Sequence, residues 1–164
     1  MDTSSLLMLF AFGGATFAAA SAGAVFRPGE WYRRLDKPRW RPPDWLFAPV
    51  WTLLYAMIAL SGWLVWREKG LADAAVPLAV YAIQLVLNAA WSPIFFGLRR
   101  PGLAAIEIGL LWASIVATIL LFHPVSPVAT WLIVPYLAWV SFAAALNLSI
   151  WRRNRAPRVA ERAR

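Results

Sequence analysis

The sequence predicts an all-α integral membrane protein, a bundle of five transmembrane helices. Three features point to it. Of the 164 residues, 61% are hydrophobic, well above the roughly 45–50% usual in soluble domains. Charge-free apolar stretches of about 20 residues, the length that crosses a hydrocarbon core, recur at 6–26, 45–66, 74–98, 102–122 and 128–151, broken only by Glu107. The 16 Lys and Arg gather between and after them, six in 27–44, two in 67–73, two at Arg99 and Arg100, and six in 152–164. Spans and connections use nearly the whole chain, so residues 1–164 read as a single membrane domain, and any function belongs to the bundle.

Five spans place the 27–44 loop, the Arg99-Arg100 turn and the basic tail 152–164 on one side, which then holds 14 of the 16 cations. The positive-inside rule makes that side cytoplasmic and the N-terminus external. Helical spans predict a bacterial inner membrane, because bacterial outer-membrane spans are mostly barrels. Basic flanks of this kind read as topology signals and contacts with anionic membrane lipid. No nucleic-acid module accompanies the charge, so no nucleic-acid partner is expected. The absence of cysteine excludes disulfides and thiolate metal sites, and a single His gives no metal cluster and no conventional axial haem ligation. Hydrolytic triads and phosphate loops are also missing.

The first span lacks a positive n-region and exceeds a signal h-region of about 7–15 residues, so it reads as a retained helix. Its small residues, Gly14-Ala18-Ala22 and Ala15-Ala19-Gly23, allow a neighbouring helix to approach closely. The loop that follows, WYRRLDKPRWRPPDWLF from Trp31 to Phe47, carries more prolines, tryptophans and charges than a hairpin needs. Asp44, after Pro42-Pro43, is placed to cap the second helix, and Pro49 is expected to bend it near Trp51.

The third span has two faces at about 100° per residue. Ala75, Ala79, Ala82, Val86 and Ala90 share one, which suits close packing and a homodimer seam. Gln84, Asn88, Trp91 and Phe95 share the other. Buried amides in hydrocarbon turn inward, and two readings of Gln84 and Asn88 fit: interhelical hydrogen bonding, or a ligand site. Glu107, in the fourth span, is expected to pair with Arg99 or Arg100, since a proton relay needs several intramembrane acids or histidines. In the fifth span Pro135, Trp139, Phe142, Ala143 and Leu146 lie on a common arc, with Asn147 beside it. Trp45, Trp66 and Trp151 sit at span ends as interface anchors. Trp51, Trp91 and Trp139 sit inside spans and need packing partners or a flat ligand.

The run WYRRLDKPRWRPPDWLFAPVWTLLY resembles the W-Y-x-x-L-x-K-P-x-W-x-P-P segment of the tryptophan-rich sensory protein/translocator protein family, relatives of the peripheral benzodiazepine receptor. QLVLNAAWSPIFFG and VPYLAWVSFAAALN resemble its third- and fifth-helix signatures, in the family's order. The resemblance implies a five-helix, commonly dimeric membrane receptor, sensor or carrier that binds porphyrins, sterols and benzodiazepine-type ligands. It also implies that the first loop is a lid over a central pocket, with Trp31, Tyr32 and Trp40 supplying aromatic contact. Matching positions put Tyr32, Pro42, Trp51, Asn88, Trp91, Trp139 and Ala143 in that pocket. Protoporphyrin or a haem-like tetrapyrrole is the implied ligand, and no obligatory cofactor is implied.

The family likeness extends to light- and oxygen-dependent porphyrin breakdown, in which Trp51 and Trp139 would be catalytic, and to outer membranes of mitochondria. A small exporter fits less well, because neither inverted repeats nor several intramembrane charges are visible. The sequence departs from the sterol-binding members at LNLSIWR, where Leu148 stands in place of their tyrosine; this weakens the expectation of sterol binding.

Overall fold

The structure, a computed structural model, describes residues 2–155, so the 156–164 part of the basic tail lies outside the described residues. The elements are α1 (Thr3–Val25), α2 (Glu30–Arg34), a 3₁₀ turn (Asp44–Leu46), α3 (Phe47–Asp73), α4 (Ala75–Ser92) continued by a π-helical turn (Pro93–Gly97), α5 (Pro101–Phe122) and α6 (Pro127–Asn154). Five helices are long and apolar enough to cross a membrane, as the sequence predicts. Their ends follow local chemistry. Asp2 caps α1 by accepting from the Ser5 amide at 3.0 Å, and Ser126 caps α6 by accepting from Ala129. Pro101 and Pro127 open α5 and α6, where a missing N–H costs nothing.

Several expectations are corrected. The second span was bounded at Trp66, but α3 runs on through Arg67, Glu68 and Lys69, because charge ends a membrane span without ending a helix. Gly70 breaks the helix instead, with φ 73°, a left-handed backbone that glycine adopts without steric cost. The bend expected near Trp51 is not seen: Gly70 is the only residue of α3 with non-helical backbone angles. Pro49 lies in the first α-helical turn, where amides have no intrahelical acceptor to lose. Asp44 makes no cap hydrogen bond; its carboxylate is taken by the Arg41 guanidinium. In α1 the side of Thr16 and Ala19 is buried, while Gly14 and Ala18 are exposed, so only part of the small-residue pattern is used in packing within the chain.

The spanning helices form a ring in the order α1, α3, α6, α5, α4, with α1 closing against α4. One core cluster fills the ring, including Ile58, Val65, Ile115, Phe122, Ile133 and Tyr136. A second lies under the first loop and joins Tyr32 to Phe95, Ala104, Leu146 and Ile150. Where α1, α3 and α4 meet, a Cβ on Gly62 would stand 2.8 Å from the rings of Phe12 and Tyr81. Gly62→Ala is therefore expected to cost about 1–3 kcal/mol through overpacking, read as a lower melting temperature in detergent. Gly109→Ala is the control, since nothing lies within 4 Å of that Cβ.

Candidate functional site

α3 and α6 diverge enough to leave an apolar groove of about 400 Å³, walled by Val50, Leu53 and Met57 on one side and Pro135, Trp139 and Phe142 on the other. That volume lies within the roughly 300–1,000 Å³ of small-molecule sites. Aromatic rings continue the wall toward the first loop. Trp139 packs edge-on against Phe47 and tilted against Phe142, both at 5.6 Å between centroids, and Trp40 meets Phe142 at 5.6 Å. The Trp139 indole N–H is buried without a hydrogen-bond partner among the described residues. A buried donor left unpaired is costly, and a ligand acceptor would remove that cost if the indole turned its N–H toward the groove.

Behind this wall the polar groups of the spans form two hydrogen-bonded sets. The Tyr55 hydroxyl donates to Asn88 Oδ1 at 2.6 Å, and Asn88 Nδ2 donates to the Tyr136 hydroxyl at 3.0 Å. One turn nearer the loop, the Trp91 indole donates to Asn147 Oδ1 at 3.1 Å, and Asn147 Nδ2 donates to the Pro101 carbonyl at 2.8 Å. Trp51 stacks on Tyr55 at 5.2 Å and meets Tyr136 edge-on at 6.2 Å. Trp91 stacks on Phe95 at 4.9 Å.

The first loop is a built cover. Tyr32 is buried against Phe95 and Phe96, and the Lys37 ammonium donates to the carbonyls of Tyr32, Leu35 and Arg33 at 2.7, 2.9 and 3.1 Å, closing the turn around one cation. Lys37 and Arg41 also lie over the Tyr32 ring, at 4.8 and 5.9 Å. Burial pushes the Tyr32 phenol up from its ordinary range, with Arg41 opposing the shift, and burial lowers Lys37, helped by nearby Arg41. The loop is tied to the end of α6. The Asp36 amide donates to Asn154 Oδ1 at 3.0 Å, Asn154 Nδ2 donates to the Asp36 carbonyl at 2.9 Å, and Arg153 reaches the Asp36 carboxylate at 3.3 Å.

Of the residues expected in a pocket, Trp139 and Phe142 line the groove and Trp40 packs on its rim. Trp51 lies behind the groove against Tyr55. Trp91, Tyr32 and Leu146 belong to the cluster beneath the loop, Ala143 packs on the main core, and Pro42 is half-buried in the loop. Asn88 is engaged by two tyrosines, which favours the structural of its two readings. Gln84 is buried one turn away with neither amide atom bonded.

Glu107 corrects an expectation. It is buried, and neither carboxyl oxygen has a partner among the described residues, so it pairs with neither Arg99 nor Arg100. Its side chain faces the interior, while those arginines are exposed at the turn. Trp45 is exposed as an anchor would be, at 71%. Trp66 packs on the core, and Trp151 lies 2.7 Å from the position a Gly102 Cβ would take. Sequence reasoning missed Tyr55, Tyr136 and Phe47. The signal for the tyrosines was available: a phenol inside a charge-free span must find a partner there.

The model of the TspO/MBR family matches residues 6–152. The chain belongs to the TspO/MBR family. It is 41% identical to the translocator protein of Bos taurus over 94% of this chain and 91% of that protein. Protein CrtK of Rhodobacter capsulatus is 42% identical, over 92% of this chain and 94% of the relative. The tryptophan-rich sensory protein of Cereibacter sphaeroides is 38% identical, over 90% and 91%. The TspO/MBR match runs from the first spanning helix through the last, so it covers the groove, the two hydrogen-bonded sets and the loop above them. Family membership and five spanning helices together make this an integral membrane protein.

Proposed function

We propose that the protein is a membrane receptor, sensor or carrier that binds porphyrins and related flat, amphipathic ligands, consistent with relatives named for translocation and for sensing. The observation that carries this reading is the groove between α3 and α6, walled by Trp139 and Phe142 and holding an unpartnered indole N–H beside it. A flat π-system with a polar edge matches both features. No obligatory cofactor is needed, since the tetrapyrrole is itself the ligand. Sterols fit less well, because half-buried Leu148 supplies no hydroxyl at the end of α6. Absorbance titration of the detergent-purified protein with protoporphyrin in darkness tests the reading. A saturable shift lost on filling the groove with Ala138→Trp supports it; a shift that never saturates refutes it.

Light-driven breakdown of the bound pigment is the second reading. What favours it is the contact of Trp51 with Tyr55 and Tyr136, a set of oxidisable rings close to the groove. The excited pigment would take an electron from an indole, dioxygen would add to the reduced pigment, and return of the electron to the oxidised indole would leave the pigment oxygenated with one dioxygen consumed.

The protein is further proposed to be a homodimer in a bacterial inner membrane. Ala75, Ala79, Ala82 and Val86 form an exposed stripe on α4, with Ala90 half-buried below it. Small residues allow two backbones to approach, so Ala79→Leu or Ala82→Leu is expected to shift the dimer to monomer on crosslinking while porphyrin binding persists. Unchanged crosslinking in both variants would move the seam elsewhere. The basic partition puts the N-terminus and His123 outside, and the first loop and C-terminus in the cytoplasm. His123→Cys in intact cells is expected to react with an impermeant thiol reagent and Arg33→Cys to resist it; the reverse pattern would invert the topology.

A further inference from the structure

On the basic side, the ends of α1 and α4 are drawn together at a residue with no side chain. A Cβ on Gly97 would lie 3.0 Å from the ring of Phe26, tighter than ordinary packing, so glycine lets Phe26 rest against the end of α4. Arg27 follows Phe26 directly, and Arg99 lies two residues beyond Gly97. Both arginines therefore reach one cavity of about 490 Å³, with Arg34 also on its wall and the rings of Trp31 and Phe96 supplying apolar surface.

The charges in this cavity are unevenly matched. Glu30 also lines the cavity, but its carboxylate is shared by Arg34 at 3.6 Å and Arg33 at 3.7 Å. Arg27 donates only its Nε, to the Ala24 carbonyl at 2.8 Å, and its outer nitrogens have no partner among the described residues. Arg99 has neither a carboxylate nor a side-chain hydrogen bond among them. It also holds a left-handed backbone, with φ 56°. Glycine would make this turn without strain, yet here the turn carries a guanidinium. The setting defines the depth, because α1 and the third spanning segment end at Val25 and Gly97, two residues short of these cations.

We propose that this cavity binds the phosphate of an anionic phospholipid headgroup, held between Arg27 and Arg99 and flanked by Trp31 and Phe96. Guanidinium groups match phosphate oxygens two at a time. A free phosphate would offer the same oxygens, but it would leave the aromatic wall and the exposed Leu98 side chain without an apolar partner; a lipid supplies acyl chain at that depth. This site is separate from the groove between α3 and α6 and does not depend on what that groove binds.

Native mass spectrometry of the full chain in detergent, titrated with phosphatidylglycerol or phosphatidylcholine, tests the assignment. In the tight complexes that survive native mass spectrometry, only a cation in contact with the bound phosphate counts, and each such cation contributes about a fivefold preference for anionic lipid. The unchanged chain should retain phosphatidylglycerol over phosphatidylcholine by roughly 10-fold or more. Arg27→Gln with Arg99→Gln should abolish that preference. Arg39→Gln with Arg152→Gln, which removes the same charge from the same side but outside the cavity, should preserve it. If the double variant misfolds, either single change should give an intermediate loss, with helical circular dichroism as the check on folding. Equal losses in the cavity and control variants would mean diffuse attraction and would overturn the site, as would an unchanged preference in the cavity variant. Displacement of the lipid by inorganic phosphate at equal concentration would assign the cavity to the free ion and overturn the lipid assignment.

Discussion

Trp51→Phe and Trp139→Phe are expected to keep dark porphyrin affinity within about threefold while lowering any light-driven loss of pigment by roughly tenfold or more, the electron source being gone. Phenylalanine preserves an aromatic face for stacking but lacks the indole N–H and the easily oxidised ring. The two positions should differ in one respect. Trp139 carries the unpartnered N–H, so its replacement removes a buried donor that none of the described residues satisfies. Stability without ligand should hold or rise, and affinity should fall more than at Trp51 if the pigment supplies the acceptor. Bleaching rates compared at equal porphyrin occupancy check the prediction. Unchanged rates in both variants would rule out electron transfer through these rings.

Asn88→Ala is expected to cost about 2–4 kcal/mol of stability, because it strands two phenol hydroxyls at membrane depth. Asn88 is only 8% exposed and is the common partner of Tyr55 and Tyr136. Each hydroxyl loses a bond that no water in hydrocarbon can replace. Removing the orphans should restore part of the loss, so Asn88→Ala with Tyr55→Phe and Tyr136→Phe should melt at a higher temperature than Asn88→Ala alone. A triple variant no more stable than the single would show that Asn88 acts by filling volume.

How far the sequence anticipated these features depended on the distance over which each is decided. The five spans were legible because bilayer thickness imposes a length on contiguous apolar residues. The two faces of the third span were legible from helical pitch alone: Asn88 and Trp91 lie inside and Ala79 and Ala82 outside, as spaced. Partner choice was not legible. Asp44 stood where a cap belongs, but Arg41, three residues earlier, takes its carboxylate. Glu107 stood near two arginines in sequence, yet its helical face turns it away from them. The course of α3 beyond Trp66 was missed because hydropathy reports the membrane boundary and not the helix end. The groove itself depends on the separation of α3 and α6, which no local pattern encodes; the resemblance named its tryptophans and the helical arc of the fifth span included Phe142, while the structure supplied Phe47.

The tie between the first loop and the end of α6 bears on how fast a ligand can come and go. Opening the cover means breaking the paired Asp36–Asn154 hydrogen bonds and the contact from Arg153 together, so departure toward the basic side has a barrier set by three concurrent ruptures. The groove between α3 and α6 presents no such obstacle along its length. The expected route for a ligand of that groove is therefore through the bilayer, and weakening the tie with Asn154→Ala should leave its residence time unchanged; a shortened residence time would place the route beneath the loop instead.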